Sequence, residues 1–285
     1  MKKGTKGLLI AVGVFAAAGI GLCVAGVSMG AANTGKEVID QVNQAFRNES
    51  YPGWFHLRKV YWSSREEEDW EDTDAKSQDL AFAGNLEISL KYDELILQEY
   101  DGDTIKVETW DDSKDDIRTE EGSGKIVIQD TRSGTVKKRK KVRVSVPSGK
   151  KFDSVTLGVD AGSIEMTGTM NADEFTVEVG AGEFSGEGIT AQKCDLQVGA
   201  GTIDLDYIDA KELNADCGTG EIDMSVTGKE QDYNYELSCG MGAIDLNESE
   251  YSGLGVEKDI SNEGAARNMV LSCGMGEIDV EFTEE

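Results

Sequence analysis

Between residues 155 and 282, apolar and polar positions alternate with a period of two, and a Gly-x-Gly pair interrupts the alternation at regular intervals. The phrase reads FTVEVGAGEFSG (175–186), DLQVGAGTIDLD (195–206), NADCGTGEIDMS (214–225), YELSCGMGAIDLN (235–247) and VLSCGMGEIDVEF (270–282). An imperfect first copy, VTLGVDAGSIEMTG (155–168), carries Asp160 in place of the first glycine and keeps Gly162 as the second. The turn glycines are therefore Gly162, Gly180 and Gly182, Gly199 and Gly201, Gly218 and Gly220, Gly240 and Gly242, and Gly274 and Gly276. In the last copy Leu271, Cys273, Ile278, Val280 and Phe282 fall on one face, and Ser272, Glu277, Asp279 and Glu281 on the other. That is a half-buried strand on each side of a turn. Glycine suits the turn either because a sharp bend needs positive φ or because a side chain would strike the neighbouring coil.

Most intervals between the second glycines are about twenty residues, the range of solenoid repeats. One copy cannot bury its apolar face alone, whereas copies stacked about 4.8 Å apart share a continuous core. The expected fold is all-β, a parallel β-helix-like solenoid of stacked coils of roughly 20 residues. The longer interval before the last copy, residues 247–266, reads as a loop bulging from one coil. From about Leu80 the period is also two: three strands are expected with turns near Tyr92–Asp93 and Asp101–Gly102, then two more at 124–130 and 138–146. Pro147 falls in the turn PSGK, where a missing backbone donor does little harm.

The N-terminal part has a different pattern. Lys2, Lys3 and Lys6 precede 26 uncharged residues, Gly7 to Ala32. That run is long enough to cross roughly 30 Å of hydrocarbon and exceeds a signal-peptide core of about 7–15 residues. The expected organisation is a cytoplasmic tip (1–6), a transmembrane signal anchor (7–32), a juxtamembrane amphipathic helix and acidic linker (33–79), and the solenoid (80–285). The lysines hold the tip inside, so the solenoid is expected outside the cell, at the membrane, on a single-pass chain. An aromatic stretch (51–62) contains His56, the one histidine.

The formal net charge of −27 excludes nucleic acid as a natural partner, because like charge repels phosphate. Within the repeat, outward carboxylates recur at matching positions: Glu165, Asp204, Asp223, Asp245 and Asp279, with Ser185 in the same column. One residue past the second glycine, Ser163, Glu183, Thr202, Glu221, Ala243 and Glu277 form another. Stacked carboxylates about 5 Å apart repel by on the order of 1 kcal/mol per pair unless a cation or proton relieves them. This column is the candidate for weak binding of a divalent cation such as calcium, set against a plain solvated face; no other cofactor is expected. Cys217, Cys239 and Cys273 share inward parity with Cys194 and read as an apolar ladder. The basic run KKRKKVR (137–143) reads as a strand that blunts an edge or faces acidic coils.

The passage VRVSVPSGKKFDSVTLGVDAGSIEM (142–166), followed by the VGAG and CGMGEIDV copies, resembles the bacterial DUF4097 family of β-strand repeat proteins, which carries the label "putative adhesin". The resemblance covers roughly residues 80–285. It implies a β-helix-like surface domain, often membrane-anchored, and supplies no catalytic residues. No P-loop or zinc-ligand spacing occurs in the chain, and the G-x-S-x-G string Gly26–Gly30 falls inside the apolar run 7–32. The expectation is a non-enzymatic surface binding, adhesion or scaffold protein, held to the membrane by its N-terminal helix. Its partner would be a surface protein or cell-wall polymer, with self-association open. The alternatives are an accessory component of an envelope-stress signalling system and a glycan-active β-helix enzyme.

Overall fold

Strands β8 (Lys151–Val159), β9 (Ser163–Val179), β10 (Glu183–Val198), β11 (Thr202–Cys217) and β12 (Glu221–Thr227) follow the phrase closely, each separated from the next by a three-residue turn. They come from a computed structural model that describes residues 75–133, 139–247 and 249–283. The expected anchor, juxtamembrane helix, aromatic stretch with His56 and the acidic linker as far as residue 74 lie outside the described residues; the last residues of that expected linker, 76–79, belong to a strand, Lys76–Ala81. Among the described residues no helix is long and apolar enough to cross a membrane. The strands belong to one compact unit, Thr73–Thr131 with Arg139–Glu285.

Each long strand pairs in parallel with its neighbours over its whole length, as Phe184 with Ile164 and Ile203, and Leu196 with Val177 and Ala215. A coil is thus a bent ribbon: the part before each Gly-x-Gly turn builds one wall and the part after it builds the other. The inward residues of both walls fill the space between. Phe175, Val177, Phe184, Ile222, Met224, Leu271 and Val280 are at most 1% exposed. Fully burying such a side chain stabilises the fold by roughly 1.5–3 kcal/mol.

The turns carry the hydrogen-bond ladder round the corner. Gly199, Ala200 and Thr202 donate to Val179, Gly180 and Gly182 of the preceding coil at 2.8, 2.8 and 3.0 Å. The next turn repeats this, with Gly218, Thr219 and Glu221 donating to Val198, Gly199 and Gly201. This geometry decides between the two reasons for glycine: none of the turn glycines has positive φ. A Cβ at Gly201 would instead lie 2.1 Å from the carbonyl oxygen of Gly182, and one at Gly220 would lie 2.2 Å from that of Gly201.

The order of coils in space differs from their order in the chain. After β12 the chain forms β13 (Tyr233–Cys239) and β14 (Ala243–Leu246), then β15 (Ser249–Ser252), β16 (Val256–Ile260), β17 (Arg267–Cys273) and β18 (Glu277–Thr283). The last coil, β17 and β18, lies between two others. β17 pairs with β11 on one side and β13 on the other, while β18 pairs with β12 and β14. The segment expected as a bulging loop is corrected by the structure. It holds β15 and β16, which run antiparallel on β14 and β13 and cover the outermost coil. Charged residues on β16 (Glu257, Lys258, Asp259) discourage further pairing at this edge.

The opposite end follows the same plan in reverse. β2 (Asn85–Leu90) and β3 (Glu94–Tyr100) form a coil held between β8–β9 and an outer coil of β6 (Lys125–Asp130) and β7 (Lys141–Pro147). β4 (Thr104–Trp110) and β5 (Ile117–Gly122) run antiparallel on β7 and β6, and β1 (Lys76–Ala81) adds to β4. The five strands expected here are present; β1 and β5, polar and mostly exposed, were not anticipated. Asp93 takes the place of a second turn glycine in this coil. Its buried carboxylate accepts the N–H of Lys140, just before β7 of the outer coil, at 2.8 Å.

Two outcomes follow. Gly201→Ala should cost on the order of 3 kcal/mol in denaturant unfolding, whereas Gly122→Ala, with nothing within 4 Å of the added carbon, should stay within about 0.5 kcal/mol of wild type. In amide hydrogen exchange, β17 and β18 should be protected as strongly as β10 and β11; end-fraying of β18 would contradict its place inside the stack.

Candidate functional site

The outward positions of the post-turn wall line up in register. Glu165, Ser185, Asp204, Asp223, Asp279 and Asp245 follow one another across the strands. Asp279 thus stands between Asp223 and Asp245, a placement the chain order hides. β15 extends the row with Glu250 opposite Asp245. In the neighbouring column Glu221 and Glu277 are adjacent, with Ala243 next. The densest negative charge is therefore gathered on the coils of β12, β18 and β14.

This crowding shows in the titration of two members. Partial burial, then the charges of Glu221, Asp245, Asp279 and Asp223, push Glu277 above the usual carboxylate range. Burial and then Glu250 do the same to Asp245. Among the described residues no group of three or more His, Cys, Asp or Glu side chains is placed to hold a metal ion. The column acts chemically as a line of charge on a flat wall.

Behind the same turns lies the cysteine ladder. Cys217 pairs with Cys273, and Cys273 with Cys239, all buried thiols. Two of them pack beneath a turn: a Cβ at Gly276 would come 2.6 Å from Cys217 Sγ, and one at Gly242 would come 2.6 Å from Cys273 Sγ. A hydrogen bond from Cys273 holds the Cys217 thiol low, and the same bond, with burial, pushes Cys273 up. Cys194 is fully buried one coil away and is raised by burial. These thiols fill space, as expected from their parity.

The described part of the basic run, from Arg139, faces acidic groups, as expected. Arg139 lies 3.8 Å from Glu94, and Arg143 lies 3.6 Å from Glu108 and stacks 5.0 Å from the Trp110 ring. Lys140 is buried with Asp112, and its Nζ also reaches Asp116 at 2.8 Å. Burial alone would raise Asp112. Hydrogen bonds from Lys140 and from the backbone N–H groups of Asp116 (2.8 Å) and Ile117 (3.2 Å) hold it below its ordinary range. Sequence reasoning missed this pair: Lys140 shares the inward parity of Val142 and Val144 but reads as one more charge of the basic run, and Asp112 lies past the end of β4.

The glycine corners, the two-walled coil and the Pro-x-Gly lead-in into β8 agree with one family. The Toastrack DUF4097 family model matches residues 83–269, well over half of the chain. The chain belongs to the DUF4097 family. The match ends inside β17, so the interposed turn and β18 of this DUF4097 chain lie beyond it. No functionally curated protein matches. Among solved structures, this DUF4097 chain is similar to a "putative cell adhesion protein" from Clostridium sporogenes, at 17% identity over 74% of this chain and 99% of the other, with a TM-score of 0.44. It is also similar to a "putative adhesin" from Bacteroides fragilis (12% identity, 73% and 97% covered, TM-score 0.33). A third is a "putative lipid binding protein" from Parabacteroides distasonis (14% identity, 75% and 95% covered, TM-score 0.32).

Because folding raises the Glu277 pKa, its charged form destabilises the fold at neutral pH, and the penalty fades as pH falls through the raised folded value. Glu277→Gln should therefore raise the melting temperature by about 1–3 °C at pH 7, with the gain shrinking toward about pH 4. Millimolar calcium should narrow the same gap by screening the column; a gap unchanged by both pH and calcium would show that the carboxylates do not interact.

Proposed function

We propose that this chain is a non-enzymatic binding or scaffold protein of the cell surface, anchored by the apolar run at 7–32 and displaying its DUF4097 solenoid outside. The observation that carries this reading is the filled interior. The two walls close on side chains such as Leu97, Ile128, Phe184 and Ile278, each fully buried. What the coils offer is two outer walls and a corner edge. Among the described residues one cavity of about 320 Å³ lies where β1, β4 and β5 meet, and another of about 170 Å³ lies beside Gly228, Asn247 and Phe282, just past the ends of β12, β14 and β18. Asp112, which lines the first, is committed to Lys140.

Flat walls with regularly repeated side chains suit recognition of an extended partner, a surface protein or a cell-wall polymer, better than the conversion of a small molecule. The negative charge keeps such a domain soluble and turns away nucleic acid and anionic lipid.

The full chain, expressed in membrane-bearing cells, tests the placement. A membrane-impermeant amine reagent applied to intact cells should label exposed lysines of the solenoid, such as Lys125 and Lys151, while a cytoplasmic control protein stays unlabelled. Labelling that appears only after lysis would overturn the outward orientation.

A further inference from the structure

The corner edge is not uniform. Its middle residues run in space as Ala161, Ala181, Ala200 and Thr219, then Met275 and Met241. The N–H of Met275 donates to Gly218 at 2.8 Å, and that of Met241 to Gly274 at 2.7 Å. The link between β15 and β16 continues the edge, with Gly255 donating to Gly240 at 2.9 Å. This places Leu254 beside Met241. Met275, Met241 and Leu254 are 53%, 43% and 83% exposed, three of the four large apolar side chains so exposed among the described residues. Four small residues thus give way to three large apolar ones within three successive levels of one edge.

Carboxylates flank this ridge on both walls. On the post-turn wall stand Glu221 and Glu277, with Asp223, Asp279 and Asp245 behind them. On the pre-turn wall the row is Asp216, Ser272, Ser238 and Glu257. We propose that the Met275–Met241–Leu254 ridge and its flanking carboxylates form a docking surface for a cationic amphipathic polypeptide segment, whose apolar side chains cover the ridge while its lysines or arginines meet the carboxylates. The proposal rests on the binding reading above and gives it a location.

Charge complementarity selects this occupant. An anionic partner would meet carboxylates on either side of the apolar contact. A second copy of this chain would bring its own acidic flanks into register with these. A cationic segment relieves the repulsion that Glu221, Glu277 and their neighbours exert on one another. Unbranched, polarisable methionine side chains adapt to apolar partners of varied shape. A ridge of this kind between charged rows also gives a contact that needs both features, since isolated surface ion pairs contribute little.

The test uses the full chain in zwitterionic nanodiscs, with empty nanodiscs as the control. The probes are an amphipathic Lys/Leu peptide and its Lys/Ser and Glu/Leu counterparts. The variant is M241T/M275T/L254T; threonine already occupies the equivalent turn position at Thr219, and an unchanged melting curve shows that the fold is kept. Should the triple variant unfold, L254T alone serves, because Leu254 lies in an exposed link. The Lys/Leu peptide is expected to bind wild type, to weaken with added salt, and to lose at least about ten-fold in affinity in the variant; the other two peptides should bind far more weakly. Equal binding of Lys/Leu peptide to wild type and variant would reduce the effect to charge alone and overturn the ridge. Equal binding of the Glu/Leu peptide would reduce it to apolar adsorption and do the same. Loss of wild-type self-association in the variant, without peptide binding, would reassign the edge to contacts between copies. None of these outcomes bears on the surface-labelling result, so failure of the ridge and failure of the cell-surface reading remain distinguishable.

Discussion

Everything in this structure depends on peptide groups stacking directly on peptide groups at the corner. Ordinary solenoid walls are sheets, and sheets tolerate any side chain that alternates in and out. The corner does not, because three N–H groups within four residues, as those of Gly199, Ala200 and Thr202, must keep bonding to the coil beneath while the chain reverses. Only a residue without Cβ lets the carbonyl below approach that closely. Once the corner is fixed, the register of both walls follows. The inward columns and the acidic columns are consequences of that register, because a slip of one residue would exchange them.

Much of this was legible in the sequence. The period gave the coil, the alternation gave the two walls, and the matching positions of Glu165, Asp204 and Asp223 gave the column. What remained hidden was spatial order. The copies CGTGEIDM and CGMGEIDV are nearly interchangeable as stacking partners, so nothing local forbids the later one from entering beside the earlier one. The deciding features are long-range. β15 and β16 carry too few apolar residues to build a coil, and their antiparallel pairing seals the end. The following coil must then find its place inside. Asp93 was equally illegible: a buried aspartate at a glycine position makes sense only once Lys140 N–H is known to lie opposite it.

The candidate surface was half visible for the same reason. Each of Met241, Met275 and Leu254 is unremarkable alone, one a turn filler, another a loop residue. Their proximity exists only because the last coil sits beside the coil of Gly240, and because the Gly253–Gly255 link lies over it. The concentration of Asp223, Asp279, Asp245 and Glu250 has the same origin. Topology, more than composition, gathers both the apolar and the charged parts of this edge.

The interposed coil also bears on how the molecule comes into being. A chain delivered from its N-terminus can stack β8 through β12 as each turn appears. It can also form β13 to β16, but that module cannot dock against β11 and β12 in its final position. A slot one coil wide stays open until β17 and β18 arrive, with unpaired parallel edges on both sides of it. The seventeen residues from Arg267 to Thr283 thus behave as a closing wedge, and the exposed edges that wait for them are where an assisting factor, or a mispaired neighbour, would act during assembly.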